Sequence, residues 1–192
     1  MRKMTAKQAQ QWLHKMTHSP TDEYIKYCVK KLVGGSSHMF VGYNPGFSLY
    51  RATKVDTPPL TISRVSYPPS EIVNISGGRC NSKGTAVFYC TPNIYAAILE
   101  IKPQPGDLVA ISQWQVQQKF RAKPVGYTQE ELKRVSTKAY EYIRENKEYQ
   151  KSYDLINKAF KTWFTWPDGS YYHLSSAITE EFMRKPMINR GS

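Results

Sequence analysis
The chain has 192 residues, of which 40% are hydrophobic and 22% charged, a globular composition long enough to build a well-developed core. No run of about 18 apolar residues exists, which excludes a transmembrane helix. The basic start Met1-Arg2-Lys3-Met4-Thr5 leads into Lys7-Gln8-Ala9-Gln10-Gln11, not the apolar core of a signal peptide. The net charge of +12 raises the question of nucleic acid. Yet residues 1–35 hold 7 basic and 2 acidic residues, residues 36–119 hold 7 and 4, and residues 120–192 hold 13 and 9. The excess is spread along the chain and no nucleic-acid motif is recognisable. An acidic partner or a phosphate-bearing small molecule fits the charge equally well. The three cysteines, Cys28, Cys80 and Cys90, are an odd number with no close pair, so free thiols in a reducing, cytoplasmic setting are expected.

In chain order, Thr5 with Gln8 forms a capping box that opens a helix over residues 5–17, with Ala9, Trp12, Leu13 and Met16 on its apolar face. Ser19 as N-cap and Pro20 in the first turn predict a second helix, whose stripe is Tyr24, Ile25, Cys28, Val29 and Leu32. Gly34-Gly35-Ser36-Ser37 ends it. Asn44-Pro45 and Gly46 mark turns. From residue 49 the character changes to short strands and turns: strands at Leu49–Thr53, Thr85–Cys90 and Leu108–Ser112, the last after the turn Pro103–Asp107, with a short segment, Leu60 to Tyr67, between Pro58-Pro59 and Pro68-Pro69. Between the last two strands, Thr91 as N-cap and Pro92 in the first turn predict a helix with Ile94, Ala97, Ile98 and Ile101 on one face. Helix returns over residues 128–162, opened by the capping box Thr128/Glu131, with Leu132, Val135, Ala139, Tyr142 and Ile143, then Leu155, Ile156, Ala159, Phe160 and Trp163 as stripes. After the turn Trp166–Ser170 a last helix is expected to start near Leu174-Ser175-Ser176. Helices, then a strand-rich centre, then helices predict an α+β fold, with residues 1–47 as an N-terminal helical extension packed on a core of residues 48–192.

The chemistry concentrates in the centre. Gly78-Arg79-Cys80-Asn81 reads as a turn carrying a cation, Phe88-Tyr89 ends an apolar strand, and Glu100 is a single acid at the edge of a helix face that looks buried. A buried carboxylate is costly unless paired, and a structural ion pair between Arg79 and Glu100 is one explanation. None of the four histidines, His14, His18, His38 and His173, has metal-ligand spacing with a Cys or acid, so no metal site is expected. No Gly-x-Gly-x-x-Gly sequence exists, which argues against a Rossmann dinucleotide site.

The ordered set Tyr50-Arg51, Gly78-Arg79-Cys80-Asn81, Phe88-Tyr89-Cys90, Ala97-x-x-Glu100 and Tyr172-x-x-Ser175 resembles the RES domain, a family named for its Arg, Glu and Ser. The resemblance covers residues 48–183. It implies a core similar to that of diphtheria-type ADP-ribosyltransferases, and the NAD-consuming activity of a toxin in a bacterial toxin–antitoxin module, with a cognate antitoxin protein as partner. It further implies Glu100, Arg79 and Tyr89 as catalytic residues, and Arg51, Ser175 and Asn81 as substrate-binding ones. NAD would be substrate and not a bound cofactor, and inorganic phosphate a co-substrate if cleavage is phosphorolytic.

Each residue also has a plainer role. Glu100 could be a helix-surface acid and Arg51 a strand-edge residue. Tyr89 either meets the nicotinamide ribose or is core. Ser175 bonds a phosphate or the Glu100 carboxylate, or simply caps a helix, and Ser176 beside it leaves the family serine open by one position. Asn81 fixes its turn or touches the ligand. Transfer of ADP-ribose to a macromolecule, and a basic nucleic-acid-binding module without catalysis, are the rival functions.

Overall fold
The computed structural model describes residues 4–34, 41–68, 71 and 77–183. The loop expected at residues 35–37, His38 and Pro69 lie outside them. Among the described residues are seven α-helices and four strands in two antiparallel pairs, a mixed α+β fold. The helices are α1 (Ala6–Thr17), α2 (Asp22–Gly34), α3 (Ile94–Glu100), α4 (Gln129–Val135), α5 (Thr137–Arg144), α6 (Lys147–Thr165) and α7 (Tyr172–Met183). The strands are β1 (Val41–Tyr43), β2 (Ser48–Lys54), β3 (Val109–Gln115) and β4 (Phe120–Ala122). The chain divides into two compact units, one of Met1–Val41, Gly77–Lys83 and Lys123–Ser192, the other of Gly42–Ser76 and Gly84–Ala122.

The first unit is helical. Thr5 caps α1 through a full capping box with Gln8, and Thr128 does the same for α4 with Glu131, so two helix starts are where the sequence puts them. Its core joins Ala9 and Met16 of α1, Ile25, Cys28, Val29 and Leu32 of α2, Ile156, Phe160 and Trp163 of α6, and Leu174, Ala177 and Ile178 of α7. Each large apolar side chain buried there contributes about 1.5–3 kcal/mol. A smaller cluster holds Leu132, Ile143, Tyr149 and Tyr153. The loop before α4 is fixed to α6 by polar groups. Gly126 N–H donates to Asn157 Oδ1 at 3.1 Å, and Tyr153 Oη donates to the Tyr127 carbonyl at 2.9 Å. A Cβ on Gly126 would lie 2.9 Å from the Lys161 backbone, and its φ of +76° is left-handed, so only glycine fits this approach.

The second unit is built on β2 and β3, antiparallel from Ser48↔Gln115 to Lys54↔Val109, with Arg51 opposite Ser112. β1 pairs with β4, and Tyr43 stacks on Phe120 at 5.0 Å. Few of its described residues are buried: Ala52, Ala97 and Val116. Half-buried Phe88 and Trp114 pack edge-on at 5.0 Å, and the exposed Tyr67 lies tilted against Phe88 at 5.6 Å.

Several local expectations are corrected. Thr85–Cys90 is not a strand. Residues 85–90 join no ladder, and the single bridge Tyr50↔Thr91 falls just past them. An apolar, β-branched run becomes a strand only where a neighbour accepts its ladder. Helix α3 starts after Pro92. Asn93 is its N-cap, its side chain accepting from the Tyr95 and Ala96 amides, while Thr91 Oγ1 accepts from Asn93 N–H. Helix α2 likewise starts after Pro20, with Thr21 Oγ1 accepting from Tyr24 N–H at 3.3 Å and Ser19 Oγ from Thr21 N–H. Helix α7 starts at Tyr172, earlier than expected. Tyr24, Val135, Tyr142 and Leu155, placed on buried stripes, are exposed.

Candidate functional site
The six sequence-derived candidates fall into two sets. Arg51, Tyr89 and Glu100 belong to the second unit, and Arg79, Asn81 and Ser175 to the first.

In the second unit, β2 presents Arg51 on the same face as Thr53, because alternate residues of a strand share a face. The Arg51 guanidinium is held in two ways. Nη1 donates to the Tyr89 carbonyl at 3.2 Å, and the group lies over the Phe88 ring at 5.5 Å. Burial pushes the Arg51 pKa down from its ordinary value, opposed by Cys90 and Tyr89, yet an arginine stays protonated. Its Nε and the Thr53 Oγ1 are both buried without a hydrogen-bond partner among the described residues. Two orphaned polar atoms on one strand face are a feature in need of a partner, and an oxygen-rich ligand or water would supply it. Sequence reading missed Thr53, because only the folded accounting of donors and acceptors reveals it. It also missed Phe88 as the ring beneath the guanidinium.

Glu100 is the last residue of α3, and it is exposed. Of this helix only Ala97 is buried, whereas Tyr95 and Leu99 are 74% and 73% exposed. The face expected from the sequence, Ile94, Ala97, Ile98 and Ile101, is the buried to half-buried side of the helix, and Glu100 at its edge is exposed. A carboxylate in the last turn also runs against the helix dipole, which favours cations there. Lys102, two residues on, has φ +46°, the left-handed conformation that often ends helices but is usually left to glycine.

In the first unit, Arg79 sits in a four-residue turn. Gly78 N–H donates to the Asn81 carbonyl at 2.8 Å, and Asn81 N–H returns to Gly78 at 3.4 Å. Asn81 is buried. A Cβ on Gly77 would stand 2.9 Å from the Asn81 carbonyl oxygen, so glycine is what lets the chain enter this turn. Ser82, next in sequence, donates to the Glu180 carboxylate on α7. This is the helix that carries the two candidate serines. Ser175 is its fourth residue and not its N-cap, which corrects the capping role considered for it. Ser175 is fully buried, and its Oγ and that of Ser176 point back to the carbonyls of Tyr172 and His173 at 3.5 and 3.3 Å. Ser176, four residues before Glu180, shares its helix face.

Cys28 is buried, Cys80 half-buried and Cys90 exposed, and none of the three is in a disulfide. Among the described residues no group of three or more His, Cys, Asp or Glu is placed to hold a metal ion, and no helix is long and apolar enough to cross a membrane. Comparison with protein-family models, with curated proteins and with solved structures gives no match for this chain.

Proposed function
We propose that this chain is an NAD-degrading enzyme of the RES type, which cleaves the bond between nicotinamide and ribose. The observation that carries the reading is the ordered set of five motifs from Tyr50-Arg51 to Tyr172-x-x-Ser175. The hydrogen bond from Arg51 to the Tyr89 carbonyl supports it, since it joins two members of that set that are 38 residues apart. So does Glu100, whose place at a helix C-terminus helix stability does not favour.

In this reading the glycosidic C–N bond breaks with its electron pair leaving on nicotinamide. The ribose passes through an oxocarbenium-like transition state, as in glycoside hydrolysis. The Glu100 carboxylate stabilises that positive charge, an effect that grows when bound NAD displaces water from the carboxylate. Arg51, in the same unit as Glu100, offers a planar fork that matches pyrophosphate oxygens, and the resemblance implies a phosphate-holding role for Arg79. An oxygen of inorganic phosphate then attacks C1, giving ADP-ribose-1″-phosphate. Such depletion poisons a cell, so a cognate antitoxin protein that blocks the site is part of the proposal.

Nicotinamide release from NAD, measured with and without inorganic phosphate, tests the reading. Release that requires phosphate is expected. Release without it, giving free ADP-ribose, makes the enzyme a hydrolase. ADP-ribose found on a macromolecule makes it a transferase. A folded protein that releases no nicotinamide with phosphate, water or an added macromolecule contradicts the proposal.

A further inference from the structure
Glu180 joins three segments of the first unit. Its carboxylate accepts a hydrogen bond from Ser82 Oγ, directly after the Arg79 turn, and its Oε2 lies 2.9 Å from Lys26 Nζ on α2. The side chains of Lys26 and Glu180 are 25% and 14% exposed, so this contact is largely withdrawn from water. Glu181, only 5% exposed, faces Lys30 of the same helix at 3.9 Å. Lys26 and Lys30 are one helical turn apart, so they form two rungs between α2 and the end of α7. Two acids in the last turn of α7 oppose its dipole. Their cross-helix contacts are the compensation.

The Ser82 hydroxyl ties the Arg79 turn to α7. The turn's own backbone supplies a two-bond bridge, Gly78 with Asn81, one of whose bonds is long at 3.4 Å. A side chain that must meet a phosphate geometrically requires a backbone held to within a fraction of an ångström. The hydroxyl of Ser82, bonded to a charged acceptor, anchors the turn one residue beyond that bridge. Charge-assisted hydrogen bonds of this kind are about twice as strong as neutral ones.

We infer that Glu180 is a positioning residue that fixes the Arg79 turn through Ser82 and makes that position depend on α2 through Lys26. Its functional consequence rests on the reading of Arg79 as a phosphate-holding residue of an NAD-cleaving site. The N-terminal helices thereby gain a role in the site without contributing a group to the chemistry.

Amide hydrogen exchange at Gly78, read alongside NAD kinetics in the full chain, tests this. Ser82→Ala and Glu180→Ala are expected to speed exchange at Gly78 by about tenfold or more, the loss of a hydrogen bond to a charged group. Exchange in the α6 core should stay as in the wild type. The same variants should raise KM for NAD by about five- to tenfold with kcat within about twofold, because the loss falls on binding. Lys26→Met should shift both readouts in the same direction, and Ser82→Thr, which keeps the hydroxyl, should restore both. Unchanged exchange at Gly78 in folded Ser82→Ala and Glu180→Ala overturns the tether, whatever the turnover. Faster exchange with an unchanged KM in an active enzyme overturns its link to Arg79. Faster exchange in a protein whose wild type neither cleaves nor binds NAD supports the tether and overturns the NAD reading instead.

Discussion

Among single residues, Arg51 combines the most constraints. It is half-buried, bonded to a backbone carbonyl, laid over an aromatic ring, and still has one donor to spare. Arg51→Lys keeps the charge but loses the fork and the ring contact. It should lower kcat/KM for NAD by more than about tenfold while shifting stability by less than about 1 kcal/mol, which steady-state kinetics and denaturant unfolding would separate. The importance of Arg51 is readable from Tyr50-Arg51 in sequence, but its partner Thr53 is not. A threonine in a strand looks like any β-former until its hydroxyl is found without a partner. Glu131 carries a different prediction. Bonds from Lys161 and then from Thr128 hold its carboxyl at about 2, against an ordinary 4.5. A depressed carboxyl stabilises the fold above its ordinary value and loses that contribution as pH falls through the folded one. Wild-type thermal stability should therefore fall between about pH 4.5 and 2 more steeply than that of Lys161→Met. Glu131 and Lys161 are 39% and 46% exposed, so the difference should be small and should shrink in salt.

At the scale of elements, capping was legible and pairing was not. The boxes Thr5/Gln8 and Thr128/Glu131 act within one helical turn, so sequence spacing suffices to read them. Thr5→Ala or Thr128→Ala should each cost about 1 kcal/mol, measured by chemical denaturation. The start of α3 differs from the expected one because Thr91 and Pro92 resemble a cap and first turn, whereas the Asn93 side chain accepts from the Tyr95 and Ala96 amides. The strand expected at Thr85–Cys90 is absent for a nonlocal reason: along the edge of β2 away from β3, pairing is limited to the single Tyr50↔Thr91 bridge, just past this segment. The end of α3 offers a further test. Lys102 holds a left-handed φ of +46°, so Lys102→Gly removes a steric cost of about 1 kcal/mol. Part of that gain returns as lost backbone entropy, and the variant should be neutral to slightly more stable in the same unfolding assay.

Across the whole molecule, α1 and α2 share one core with α6 and α7, more than a hundred residues away in sequence. The Ala6 amide even donates to Glu148 Oε1 at 3.0 Å, across a separation of 142 residues. The apolar stripes of these helices were visible as periodicity, and the α+β class followed from their order. Which stripe meets which was not visible, because amphipathic faces carry no address. Ile156→Ala, at the centre of this core, should cost about 2–5 kcal/mol by cavity formation, detectable as a lower denaturation midpoint. The candidate site follows the same division. Its residue types and their order were readable from the chain, whereas the exposure of Glu100, the burial of Ser175 and the Glu180–Ser82 tether depend on packing. The most direct test compares nicotinamide release from saturating NAD by the wild type and by Glu100→Gln, an isosteric change that removes only the negative charge. If Glu100 stabilises the ribosyl cation, release falls at least about a hundredfold while NAD still binds. A Glu100→Gln protein that turns over NAD at the wild-type rate would contradict that role.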